Sequence, residues 1–164
     1  MLDLIIRNGK CYIDGELKEV DVAIKDKKIH QIGQISEEAK ETIDASGHTV
    51  LPGCIDTQTH FREPGSTDTE DLHSGSRAAI AGGITSVFEM PNTNPPTSNK
   101  KEFQRKLDLA KNRMYCNYAF YFGATAENAD DLASLKDLEG CCGIKLFAGS
   151  STGNLLVAEE DDID

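Results

Sequence analysis

Up to about residue 50 the chain runs in short apolar–polar alternations closed by turn pairs. Leu2-Asp3-Leu4-Ile5-Ile6-Arg7 ends in Asn8-Gly9, and Lys10-Cys11-Tyr12-Ile13 ends in Asp14-Gly15. Val20-Asp21-Val22-Ala23-Ile24 passes through Asp26-Lys27 into Lys28-Ile29-His30-Gln31-Ile32. Period-two runs separated by such pairs predict hairpins. Thr42-Ile43-Asp44-Ala45 adds a further strand, and Ser46-Gly47 turns the chain towards His48-Thr49-Val50-Leu51. Residues 1–50 are therefore expected to form a small antiparallel β-sandwich layer that buries little by itself.

After residue 50 the period changes. Residues 51–56 read as a strand. Residues 70–81 place Leu72, Ser76, Ala79 and Ile80 on one helical face, with Thr67 and Glu70 as a candidate capping box and Gly82-Gly83 as the stop. A strand over 85–90 is broken by Pro91. A helix over 99–113 carries Phe103, Leu107 and Ala110, and residues 117–122 form a third strand. A third helix over 127–138 is marked by Leu132, Leu135 and Leu138, and residues 143–147 form a fourth strand. Strand–helix repeats of this kind build right-handed parallel βαβ units. The predicted class is α/β: residues 51–164 supply the first four β/α units of a TIM-like (β/α)8 barrel, behind the small β domain. A hinge near 48–52 is the one boundary, and the two parts are expected to pack together. The 164 residues fall short of the roughly 250 of a complete barrel, so the chain is expected to be a truncated half.

Composition narrows the partners. Hydrophobic residues make up 38% and charged residues 27%, as in globular domains. A formal net charge of -11 excludes the basic footprint of a nucleic-acid binder. It leaves room for a small anionic substrate, because one placed arginine acts locally. No apolar run approaches the roughly 20 residues of a membrane helix, so no membrane partner is expected. The start lacks the basic region and cleavage site of a signal peptide. The five cysteines, at 11, 54, 116, 141 and 142, show no zinc-site spacing, and free thiols in a reducing cytoplasm are expected.

The chemistry gathers where apolar strands end. In Asp56-Thr57-Gln58-Thr59-His60-Phe61-Arg62, residues two apart share a face if the strand continues. Gln58, His60 and Arg62 would then line a site rim, with Asp56 behind them. Such a group needs partners, and a ligand or metal supplies them economically; an ordinary polar strand end is the plainer alternative. The Gln58 amide is a poor zinc ligand. Arg62 has a fork that matches a carboxylate, or it pairs with one of the 28 acidic residues. Glu63-Pro64-Gly65 is a rigid turn that would fix Arg62. Met90-Pro91-Asn92-Thr93-Asn94-Pro95-Pro96 is a stiff loop from which Asn92 would reach a substrate oxygen, or a turn and nothing more. Lys145 alternates with Ile144 and Leu146 and is expected inside the barrel. There an amine is expensive unless paired or carbamylated to a metal-bridging carboxylate; the alternative is a snorkelling side chain. Residues 149–154 lack the P-loop spacing and read as a substrate-side or subunit-contact loop. Residues 159–164 read as a charged loop or tail.

Asp56 to Gly65, Ala78-Ala79-Ile80-Ala81-Gly82-Gly83-Ile84-Thr85, Met90-Pro91-Asn92-Thr93 and Gly143-Ile144-Lys145-Leu146-Phe147 together resemble the N-terminal half of dihydroorotase. This is a cyclic-amide hydrolase of the amidohydrolase superfamily, and the resemblance runs from about residue 2 to the end. Allantoinases and hydantoinases share the superfamily barrel and the carbamylated lysine. The Arg62-Glu63-Pro64-Gly65 and Pro91-Asn92-Thr93 pair favours dihydroorotase, because Arg62 and Asn92 look like the residues that hold the substrate carboxylate. The resemblance implies a metal-dependent hydrolase with one or two zinc ions, His60 as a ligand and Lys145, as carboxylysine, bridging the metals. It implies reversible hydrolysis of dihydroorotate to carbamoyl-aspartate in pyrimidine biosynthesis. A general-base Asp and two further histidine ligands would lie in the later half of the barrel, so this chain alone is expected to be inactive and to hold zinc weakly. Gln58 stands where the family pattern has His. That departure motivates one alternative, a non-catalytic partner of aspartate transcarbamoylase. The other is a hydantoinase- or allantoinase-type hydrolase. A small-molecule substrate and a homo-oligomer are expected in the catalytic readings.

Overall fold

The computed structural model describes residues 1–149 and 155–159. Two compact units divide the chain, Met1–Pro52 and Gly53–Asp164.

The first unit holds β1 (Leu2–Arg7), β2 (Lys10–Ile13), β3 (Glu16–Glu19), β4 (Asp21–Lys25), β5 (Lys28–Gly33), β6 (Ala39–Asp44) and β7 (Thr49–Val50). One sheet runs β5-β4-β1-β6 and the other β3-β2-β7. The turn signals work as read: Asp26 and Lys27 both take positive φ, at 52° and 63°, between antiparallel β4 and β5. The layer is mixed, however, and not purely antiparallel. β6 pairs parallel to β1 and β7 parallel to β2, because residues 34–38 and 45–48 carry the chain across to a new position instead of folding it back. β3 has no apolar pattern to predict it; all four of its residues are exposed, and pairing with β2 defines it. Leu2, Ile5, Ala23 and Ile35 make a small core. Arg7 closes it by pairing with Asp21 at 2.9 Å and donating to the Ile35 carbonyl at 2.7 Å.

The second unit alternates β8 (Cys54–Thr59), α1 (Leu72–Ala81), β9 (Ile84–Glu89), α2 (Lys100–Ala110), β10 (Asn117–Gly123), α3 (Ala129–Leu132) and β11 (Cys141–Lys145). The sheet order β11-β10-β9-β8 is parallel throughout, the βα order of a half-barrel. Phe61, Leu72, Val87, Phe103, Phe120, Phe122 and Leu135 form the core between sheet and helices. Gly75 on α1 makes room for it, since a Cβ there would come within 2.4 Å of the Phe61 ring.

Several boundaries differ from the sequence expectation, most of them by one to three residues. β8 begins at Cys54, beyond Pro52-Gly53, and β11 spans Cys141–Lys145, not 143–147. The third helix is one short turn between 3-10 turns at Ala126–Asn128 and Ala133–Leu135. Asn128 is occupied elsewhere, donating to the carbonyls of Ser98 at 2.8 Å and Gly123 at 2.9 Å. The cap of α1 is Asp71 with Ser74, not Thr67 with Glu70: the Asp71 carboxylate accepts the Ser74 N–H at 2.6 Å, and Ser74 Oγ accepts the Asp71 N–H at 3.2 Å. Residues 66–70 form a turn instead, with the Thr69 N–H on the Ser66 carbonyl.

The Ser74 N–H and hydroxyl hold the Asp71 carboxyl below its ordinary 3.8. A lowered carboxyl stabilises the fold above 3.8, and that stabilisation is lost as pH falls through the lower native value. Asp71→Ala is therefore expected to cost about 1 kcal/mol at neutral pH. In urea titrations the gap to the parent should shrink below pH 3.8; a gap independent of pH would exclude a charged cap.

Candidate active site

Alternation along the parallel strands sorts the side chains. Val87 and Glu89 on β9, and Phe120 and Phe122 on β10, point towards the helices. Phe88 and Tyr121 point the other way, and their rings meet edge-on at 6.3 Å. Thr59 pairs with Glu89, so its neighbours Gln58 and His60 belong to the face opposite the helices. Lys145 pairs with Gly123, two residues beyond Tyr121, and joins that same face. Sequence positions 58, 60 and 145 are thus brought to one side of the sheet at its C-terminal end.

Asp56 does not join them. The β8–β9 register shifts between Asp56 and Thr59, and Asp56 pairs with Val87. Its carboxylate folds back to accept the Gln58 N–H at 2.9 Å. The even alternation expected from Asp56 to Arg62 fails again at Arg62, whose φ of 61° takes the chain out of the strand. A bulge and a left-handed residue are local events that a period-two pattern cannot reveal.

His60 is the centre of the group. It is partly buried and shares a side-chain hydrogen bond with Asn92. Burial, reinforced by the positive charges of Arg62, Lys106 and Lys145, pushes its imidazole below the ordinary 6.5. At neutral pH it is an uncharged ring able to donate a lone pair. Arg62 and Asn92, singled out from sequence as substrate contacts, both border it. Lys145 is only partly buried, and its amine lies 5.1 Å from the centroid of the Phe147 ring. The Gln58 side chain is exposed.

Hydrogen bonds fasten the strand-end loops to one another. The Asn94 N–H meets the Pro64 carbonyl at 3.0 Å, and Gly65, at φ 121°, fits where a Cβ would come within 3.0 Å of the Asn94 carbonyl oxygen. The peptides before Pro64 and Pro95 are cis. Thr97 N–H reaches the Pro91 carbonyl at 2.9 Å, Gly123 N–H the Thr97 carbonyl at 2.8 Å, and Ala124 N–H the Lys145 carbonyl at 2.9 Å. The rim is a stitched surface, and not a set of independent loops.

Sequence reading missed three charged residues beneath this rim. Glu63 reads from sequence only as part of a turn. Its carboxylate accepts the Leu72 N–H of α1 at 2.9 Å and both arms of Arg113, at 2.7 and 3.2 Å. Glu89 and Lys106 form an ion pair with 1% and 0% of their side chains exposed. The available signals were a single acid inside the apolar run 84–90 and a lysine sharing the helical spacing of Phe103 and Ala110.

Among the described residues no three His, Cys, Asp or Glu side chains gather closely enough to hold a metal ion. The neutral His60 ring fits one coordination position. The Lys145 amine fits none as it stands and would offer oxygen donors only after carbamylation. Cys142, with its thiol pushed up to about 12 mainly by burial, is no thiolate donor. The expected loop over 149–154 and the expected charged loop or tail over 159–164 lie, but for Gly149 and Glu159, outside the described residues.

Residues 49–148 match the model of the amidohydrolase family. An allantoinase of Escherichia coli O1:K1 / APEC is 41% identical over 149 residues, 90% of this chain and 33% of the allantoinase. That of Escherichia coli strain SMS-3-5 is 42% identical over the same share. Among solved structures, an L-hydantoinase (dihydropyrimidinase) from Arthrobacter aurescens superposes with a TM-score of 0.89 at 30% identity, over 99% of this chain and 37% of that one. A D-hydantoinase from Bacillus sp. AR9 gives 0.81 at 28%, over 98% and 36%. The chain spans about a third of the length of the relatives it matches.

Proposed function

Because the chain belongs to the amidohydrolase family, we propose that it is the N-terminal part of a metal-dependent hydrolase that opens the cyclic amide of an allantoin- or hydantoin-type ring. The observation that carries this reading is the 41% identity to an allantoinase over nine-tenths of the chain. It is supported by the superposition on hydantoinases and by the face that gathers His60, Arg62, Asn92 and Lys145.

In this reading one water is consumed per ring opened, the amide C–N bond breaks, and a carboxylate forms. His60, through its imidazole lone pair, and Lys145, once carbamylated, are the residues of this chain that would hold zinc, which would there supply activation of water and polarisation of the ring carbonyl. Gln58 adds at most a weak oxygen donor. Asn92 orients the His60 ring through their shared hydrogen bond. Arg62 holds the electronegative edge of the ring, and its fixed charge adds to burial in lowering the His60 imidazole below its ordinary value. A general-base Asp and further histidine ligands would complete the centre from elsewhere in the barrel.

Dihydroorotate hydrolysis in pyrimidine biosynthesis is the second reading, carried by Arg62 beside Asn92 as a carboxylate clamp. The relatives named above do not support a transcarbamoylase partner. Among the described residues no helix is long and apolar enough to cross a membrane, and all five cysteines are unpaired, which is compatible with a cytoplasmic setting.

The test is a substrate panel on a full-length protein carrying these residues and loaded with zinc. Allantoin or hydantoin is expected to turn over at least about tenfold faster than dihydroorotate, the discrimination of a misplaced polar contact. Dihydroorotate as the preferred ring would establish the second reading, and no turnover of any cyclic amide would overturn both.

A further inference from the structure

The Glu89–Lys106 pair sits directly under the rim, and its bonds to the backbone are specific. Glu89 Oε1 accepts the N–H of Phe61 at 3.1 Å. Phe61 is the residue between His60 and Arg62. Lys106 Nζ donates to the carbonyl of Met90 at 2.9 Å. Met90 is followed by Pro91 and Asn92. The carboxylate therefore fixes the end of β8, and the ammonium fixes the exit of β9. The two are joined to each other, and the Lys106 ammonium also lies 5.2 Å from the centroid of the Phe120 ring. Both side chains of the pair are fully buried.

Any buried ion pair needs further hydrogen bonds to offset its desolvation, and here the groups that supply them are the backbone atoms next to His60 and two residues before Asn92. Hydrophobic side chains of similar size generally fill such a space as well or better. The pair instead connects the two loops whose side chains share the His60–Asn92 hydrogen bond. We propose that Glu89 and Lys106 are positioning residues of the active site, setting through Phe61 N–H and the Met90 carbonyl the spacing of His60, Arg62 and Asn92. This rests on the reading of His60 as part of a hydrolytic centre. Neither residue touches substrate or metal; each acts through the backbone it holds.

The test compares two double variants of the full-length protein, Glu89→Gln/Lys106→Met and Glu89→Leu/Lys106→Met. Both remove both charges. Only the first keeps an oxygen for Phe61 N–H. Turnover of allantoin or hydantoin is measured well below the melting temperature of each, together with amide exchange at Phe61. The Gln form, which keeps the Phe61 tie and loses the Met90 tie, is expected about tenfold below the parent kcat, and a Gln form at the parent kcat overturns the role given to Lys106. The Leu form is expected about 100-fold lower than the Gln form, with little change in KM and with faster Phe61 exchange, as small misplacements of reacting groups produce. Equal kcat in the two variants overturns the proposal whatever the exchange rates. If the parent opens no cyclic amide, the functional reading fails separately. Phe61 exchange and the His60 ring resonances then decide: a difference between the variants in both supports positioning, and its absence in either overturns it.

Discussion

Lys106→Met alone is expected to lower the unfolding free energy by about 3–5 kcal/mol, because it leaves a carboxylate buried without its counter-charge. Glu89 is 1% exposed, and burial already pushes its carboxyl above the ordinary 4.5, opposed chiefly by Lys106. Without the ammonium that opposition is gone and the native acid is protonated more readily. A raised carboxyl contributes its full stability below 4.5 and loses it as pH rises through the native value. The deficit of the variant should therefore be largest at neutral pH and shrink as pH falls towards 4.5. Adding Glu89→Leu should recover most of the loss at pH 7. Urea denaturation across that pH range checks all three statements, and a loss below about 1 kcal/mol at pH 7 would mean that water reaches the pair.

The largest effect on chemistry is expected at the open face. In a full-length zinc-loaded protein, Lys145→Ala and His60→Ala should each reduce kcat at least about 100-fold, the scale on which preorganised charge at a reacting centre acts. Each should also lower the zinc retained after dialysis. Gln58→His should move zinc content the other way, since an imidazole replaces an amide on the same face. Elemental analysis alongside the turnover assay separates the outcomes. Unchanged zinc and kcat in Lys145→Ala would leave Lys145 as the snorkelling cation that its contact with Phe147 also allows.

The site was legible in part. His60, Arg62, Asn92 and Lys145 stand out because each is a polar or charged residue at the end of an apolar strand. Alternation puts Lys145 inside the barrel, and the β10–β11 register sets it on the face of Tyr121. Asp56 misled because a bulge between it and Thr59 reverses the phase, and bulges leave no mark in a period-two pattern. Glu63, Glu89 and Lys106 were invisible as partners because their bonds join residues far apart in the chain.

By itself the sequence determined the order of strands and helices in the second unit, since apolar period and turn residues are local properties. It also determined the kind of chemistry at the strand ends, because side-chain type limits what can bind there. Only the tertiary structure decided that β6 and β7 run parallel to their partners, that Asp71 and not Thr67 caps α1, and that the third helix breaks into short turns. The same is true of the buried pair beneath His60. The physical reason is common to all of these. Register, capping choice and charge pairing depend on which distant segments arrive alongside, and burial then makes any unpaired charge or backbone group expensive enough to fix the arrangement.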